Sequence, residues 1–332
     1  MQEESRRSFI KKTVAGLVTL GVVNPLELLA EQKSFNPKNF IGKVLIAKDA
    51  KIRDANGKIN PSIADKLVND GLKKLIGGKD KNENWSSIFN EKDVVGLKLN
   101  CLAGRGLSPN AEVVNAIIEG LKSAGVKEDN IIVWERFSRD LQRTGYPINI
   151  DKPGVKYYGT DAVGYDAEPS MIGSIGSCFS KIVSEKCTAL INIGILKDHD
   201  LSGVSAGMKN FYGAIHNPNK YHDNNCDPYV ADVNAHPFIK NKLRLIIIDA
   251  IKPQFKGGPG YKPQYTWDYN GIIMGFDPVA VDSVSYDILD KKRKEKGAPS
   301  LKEDGKEPKW IITAEKKGLG IADLKKIEII EI

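Results

Sequence analysis

The four histidines of this 332-residue chain, His199, His216, His222 and His236, all fall within about a tenth of its length. Imidazole is the side chain that most readily moves a proton, or binds a borderline metal, near neutral pH. The same segment carries Lys197, Asp198, Lys209, Asp223, Cys226, Asp227 and Asp232. Such crowding points to one chemical site. His199 and His216 are its candidate proton-moving groups, and Lys209 a candidate catalytic cation. His216, His222, Cys226 and Asp232 are candidate ligands for a divalent metal. Their spacing matches no tight zinc pattern, however. His236, beside Pro237, reads as structural or exposed.

Other residues join this set through the strand ends that must deliver them. Lys98 and Asn100 share one face at the end of DVVGLKLN, and a lysine inside so apolar a strand needs a reason to be there. Lys197 follows the apolar run CTALINIGIL. Asp249 ends LRLIIIDA, where a carboxylate is costly unless paired, so it either caps a loop or faces the site. The small residues from Ser202 to Gly207 would let backbone N–H groups approach an anion, with Ser205 and Asn210 beside it and Lys209 to neutralise it. Lys98, Asn100, Lys197, Ser205, Asn210 and Asp249 are therefore candidate substrate-binding residues, and three converging lysines favour a carboxylate or phosphate. Asp277 before Pro278 is most simply a helix cap, and Asp282 is balanced between structure and function.

The elements expected to position these groups follow from periodicity and punctuation. Lys43–Lys48 reads as a first strand. Pro61–Ile76 reads as a helix, with Pro61 as starter and Gly77-Gly78 as stop. Strand 93–100, helix 110–124 and strand 130–134 form a βαβ unit, which implies parallel pairing. The continuous apolar run 187–196 reads as a central strand buried on both faces, and 243–250 as another. Strand Gly271–Gly275, helix 278–292, helix 308–318 and a terminal strand over 324–332 complete the chain. The expectation is a layered α/β fold with a mostly parallel central sheet and helices on both faces. Ligands in such sheets sit beyond the carboxyl ends of the strands, which selects the loops after Asn100, Leu196 and Ala250.

Several blocks agree in order with a known family. They are Lys98-x-Asn100; Lys197-x-His199 through Ser205-x-Gly207-x-Lys209-Asn210-x-x-Gly213; Asp249-Ala250 with Gly257-Gly258-Pro259; and Gly275-x-Asp277-Pro278-Val279-Ala280-Val281-Asp282. Over roughly residues 43–290 the chain resembles the domain of unknown function numbered 362, in its exported branch. The ferredoxin-like Cys-rich module of other members is absent, so electron transfer through such clusters does not carry over. The resemblance implies which positions matter and supplies no reaction.

The export expectation rests on the N-terminus. Arg6-Arg7, with Phe9 two positions on, precedes a weakly apolar stretch interrupted by Gly16, Gly21, Asn24 and Pro25. That pattern resembles a twin-arginine signal over residues 1–30, with a linker over 31–42 and one α/β domain over 43–332. The stretch is too interrupted for a stable membrane span, which needs about 20 apolar residues, unless the signal is retained as an anchor. The implied partners are the twin-arginine export machinery and a small anionic ligand. The net charge of +7 is mild and spread along the chain, without the basic stripe that nucleic-acid binding requires. In an oxidising compartment Cys101, Cys178, Cys187 and Cys226 have three pairings open to them. Three functions follow from this reading: an exported enzyme acting on a small anion, with or without a metal; a periplasmic binding protein without turnover; and a redox partner using Cys226.

Overall fold

Leu45 and Ile46 point to opposite sides of the strand β1 (Lys43–Lys48), and each side meets a helix. Leu45 and its cross-strand neighbour Met274 lie against Gly71 of helix Pro61–Ile76, so closely that a Cβ on Gly71 would come within 2.9 Å of Leu45. Val44, Ile46 and Ile273 instead join a buried cluster with Val279, Ala280 and Val284 of helix Pro278–Glu295. Helices thus cover both faces of the sheet. The computed structural model describes residues 36–332, which form one compact unit. The expected signal at 1–30, and the first part of the expected linker, lie outside the described residues.

The sheet has nine strands. Along it lie β11 (Glu328–Glu331), β1, β10 (Gly271–Gly275), β9 (Leu243–Gln254), β7 (Ala189–His199), β2 (Val95–Leu99), β3 (Ile131–Glu135) and β4 (Lys156–Gly159). β8 (Gly203–Ser205) pairs with the end of β7. Within this sheet all pairings are parallel except those of β10 with its two neighbours and of β8 with β7, while β5 (Ser170–Ile172) and β6 (Ile175–Ser177) form a separate antiparallel pair. The expected mostly parallel α/β sheet is what forms. Every residue of β7 is buried, as a strand covered on both faces requires.

Punctuation sets most element boundaries. The Asn60 side chain accepts from the Ser62 and Ile63 amides ahead of Pro61, and Gly77 closes that helix at a φ of 86°. Asp277 caps the helix after it through the Val279 and Ala280 amides, as its place before Pro278 suggested. Other boundaries differ. β7 runs to His199, because its last residues Lys197, Asp198 and His199 pair with Ser205, Val204 and Gly203. Helix Lys81–Ile88 escapes a periodicity reading because it is short and mostly polar. Trp85 anchors it, filling a gap over Gly120 where a Cβ would sit 2.1 Å from the indole. The second part of the expected linker is docked: Phe40 packs on Phe276 with ring centroids 4.9 Å apart. Among the described residues, no helix is long and apolar enough to cross a membrane. The four cysteines are all free, so none of the three pairings forms.

Candidate functional site

The carboxyl ends of β2, β3 and β7 open onto one recess of about 170 Å³. Its lining includes Asn100, Glu135, Lys197, His199, Lys209 and His222, with Ser205 and Asn210 also present. Beneath it lies Lys98, fully buried, whose Nζ donates to Glu135 Oε1 at 2.5 Å, to Asn210 Oδ1 at 3.1 Å and to the Leu99 carbonyl. Three acceptors match the three N–H bonds of an ammonium. Asn210 completes the floor by donating to the Lys98 carbonyl and to Asn192 Oδ1, while Asn192 donates to the Gly207 carbonyl. Gly213 is required here, since a Cβ would stand 2.7 Å from Lys98 Cε.

The walls are different. Lys197 is 1% exposed, yet its Nζ meets only neutral acceptors, the Pro259 carbonyl at 3.1 Å and Asn100 Oδ1 at 3.5 Å. Burial pushes this ammonium down to about 8, against the pull of Glu135 and Asp198. Lys209 Nζ lies 3.1 Å from His222 Nε2 and 3.8 Å from the centre of the Tyr212 ring. It too is pushed down to about 8, mainly by burial, with Cys226 opposing and Lys197 reinforcing the shift.

Hydrogen bonding fixes both imidazole tautomers. His222 Nδ1 lies 3.0 Å from the Pro218 carbonyl, which can only accept, so Nδ1 carries the proton and Nε2 accepts from Lys209. His199 is the reverse. Its Nδ1 accepts from the Leu201 and Ser202 amides at 3.2 and 3.3 Å, which leaves Nε2–H as the donor edge. Asp200 Oδ1 also lies 3.0 Å from this Nδ1. No ion pair follows, because the two amides require an acceptor there and the ring is neutral. Burial, then Lys209, Lys197 and His222, push His199 down to about 2. The expected proton mover is thus a neutral hydrogen-bond donor and a poor base.

The remaining candidates lie elsewhere. His216 is exposed, with its ring near Ser177 Oγ and edge-on to Tyr165; only its carbonyl serves the site's border, by accepting from Arg136. Asp249 is wholly buried and takes the backbone and side-chain N–H of Asn110, both at 2.8 Å, so it pins the start of helix Ala111–Ser123. Asp232 is paired with Lys317 at 2.8 Å and accepts the Ser174 amide. Cys226 is buried, and burial raises its thiol above the ordinary value, which keeps it protonated. The set His216, His222, Cys226 and Asp232 does not converge. Among the described residues no group of three or more His, Cys, Asp or Glu side chains could hold a metal ion.

The small loop is also not an open anion cradle. The Gly207 and Met208 amides already donate to the two carboxylate oxygens of Asp282, at 2.7 and 2.8 Å. The anion that the loop binds is a side chain from helix Pro278–Glu295, which settles Asp282 as structural. His236 is structural as well, stacked on Phe179 and accepting the Phe238 amide.

Sequence reasoning missed Glu135, Arg136, Asp140 and Tyr212 and met Pro259 only as part of a family block, and all five are in the lining. Glu135 was within reach, since it ends β3 and the strand-end rule applies to that loop as much as to the others. Burial and Glu135 together raise Asp140 above the usual carboxylate range. A larger recess of about 600 Å³ beside Lys66, Lys73, Lys74 and Ile332 has exposed lysines, exposed Asp70 and half-buried Asp49 as its charged lining, with no histidine, and it carries less chemistry.

No curated protein matches this sequence. A crystal structure of a protein from Thermotoga maritima aligns at 12% identity and a TM-score of 0.38, over 70% of this chain and 59% of that one. A likeness of that size adds nothing to the fold read from the strands themselves, and the chain spans only about 59% of that protein's length. The family comparison is decisive where structural likeness is not. Its model covers residues 95–287, from β2 through every wall of the recess to Asp282, and the chain belongs to the family described as Domain of unknown function (DUF362).

Proposed function

We propose that the recess binds a small anionic substrate and that the protein is an enzyme acting on it. One observation carries this reading: two buried lysines, Lys197 and Lys209, face one cavity, and among the described residues no carboxylate is hydrogen-bonded to either. An unpaired ammonium in a dry environment is costly. An anionic ligand would offset that cost, and at about 170 Å³ the space suits a compact metabolite. Typical drug-sized sites are larger, roughly 300–1,000 Å³. His199 would present Nε2–H to a carbonyl or acid oxygen without adding charge. Turnover is favoured over storage by the amines, which are tuned close to neutral pH.

Inorganic phosphate and oxalate are the probes, with binding followed by isothermal titration. Lys197→Met and Lys209→Met should each weaken binding by about tenfold or more, given the usual ~2–5 kcal/mol for truncating one side of a buried charge contact. Lys291→Met, at an exposed position, should leave it unchanged. Equal binding by all four proteins would remove the anion site from this recess.

We further propose that the chain is exported by the twin-arginine route, on the strength of Arg6-Arg7 and the apolar stretch that follows. Arg6→Lys/Arg7→Lys should hold the protein in the cytoplasm on fractionation. Unchanged export by that variant would exclude the route.

A further inference from the structure

The three lysines at this end of the sheet differ in how many acceptors each ammonium has. Lys98 has three, including a carboxylate. Lys197 has two, both carbonyl oxygens. Lys209 has one, and it is a neutral base that lines the cavity beside it: the bare Nε2 of His222, oriented by the Pro218 carbonyl. We propose that Lys209 is a nucleophile that forms an imine with an anionic aldehyde or 2-oxo acid bound in the recess, the acid group of the substrate facing Lys197. This rests on the anionic-substrate reading and names the substrate class.

The chemistry balances without an outside reagent. The neutral Lys209 amine adds its lone pair to the carbonyl carbon, forming C–N while the C=O pair moves onto oxygen. His222 Nε2 takes the proton that nitrogen loses. His222 passes that proton to the oxygen, giving the neutral carbinolamine, and then relays the second nitrogen proton to the hydroxyl. Water leaves as nitrogen forms C=N, so amine and carbonyl become imine and one water. A lysine amine acts in this way when desolvation or a neighbouring cation frees its lone pair at neutral pH. Both conditions hold: Lys209 is 7% exposed, and Lys197 lines the same cavity. Its proton affinity is lowered to about 8, chiefly by burial, with Cys226 opposing and Lys197 contributing, while Asp200 opposes more weakly. The Tyr212 face favours the charged form and keeps the amine titratable instead of permanently neutral.

The test uses the full chain and glyoxylate, the smallest anionic aldehyde, with cyanoborohydride to trap any imine as a carboxymethyl-lysine. Peptide mass spectrometry after a short exposure at pH 7 gives the rate at each lysine. Lys209 should react at least about tenfold faster than exposed Lys66 and Lys291, since lowering Lys209 to about 8 leaves much more of its lone pair free at pH 7. Inorganic phosphate should slow Lys209 alone. If Lys209 reacts no faster than the exposed lysines, the imine proposal is overturned. The anion reading still stands in that case if phosphate binding depends on Lys197. Fast labelling that phosphate does not slow would place the amine outside the anion site and overturn the proposal as stated.

Discussion

The floor and the walls of the recess use the same residue types to opposite ends. In the floor, Lys98 is fully buried and completely satisfied, held by Glu135, Asn210 and a backbone carbonyl. In the walls, Lys197 and Lys209 are almost as buried and have no carboxylate partner among the described residues. A buried charge with a full set of partners is a structural device; one without them makes sense only if something else completes it. Burial alone therefore does not separate architecture from chemistry in this molecule, whereas the partner list does.

The sharpest way to break that division is one substitution made twice. Lys98→Met leaves the Glu135 carboxylate buried and unpaired, and should cost about 3–5 kcal/mol in urea unfolding. Lys197→Met removes a charge that the fold does not pair, and should instead stabilise the protein by about 1 kcal/mol at pH 7. If both variants lose stability equally, the distinction between floor and wall has no energetic content. pH sharpens the same comparison. Folded Lys197 and Lys209 lose their protons near 8, whereas their unfolded counterparts do so near the ordinary 10.5. Below 8 both states carry those protons and the fold bears the full penalty. Between 8 and 10.5 the unfolded chain binds more protons, so stability rises with pH. The rise from pH 7.5 to 9.5 should shrink in Lys197→Met, measured as the shift in urea midpoint.

How far the sequence revealed this site depended on the range of the interactions involved. Strands, helix caps and the strand-end rule are local, so β1, helix Pro61–Ile76, β10 and the position of Lys197 and His199 could be read directly. The failures among the site's candidate carboxylates and its loop were long-range. Asp249 looked available until Asn110, 139 residues away, took its oxygen. The glycine-rich loop looked like an anion cradle until Asp282 filled it from 75 residues away. Asp232 looked like a metal ligand until Lys317 paired with it. In each case a carboxylate already had its donor elsewhere in the fold, and spacing along the chain carries no record of that. The histidine cluster was half informative: proximity in sequence brought His199 and His222 together, with ring centroids 5.8 Å apart, and left His216 outside.

His216 gives the smallest expected effect and a clean check on where the site ends. Its ring is exposed, with a weak contact to Ser177 Oγ at 3.4 Å and an edge-on approach to Tyr165, whereas its carbonyl accepts from Arg136 at 2.7 Å. Alanine keeps the carbonyl and loses only the ring. His216→Ala should therefore change stability by less than about 0.5 kcal/mol, as surface substitutions usually do, and leave phosphate affinity unaltered. A tenfold loss of affinity would carry the binding surface past Arg136 toward Ser177 and Tyr165. The wall would then extend onto the exposed rim, and the boundary drawn by unpaired buried lysines would be in the wrong place.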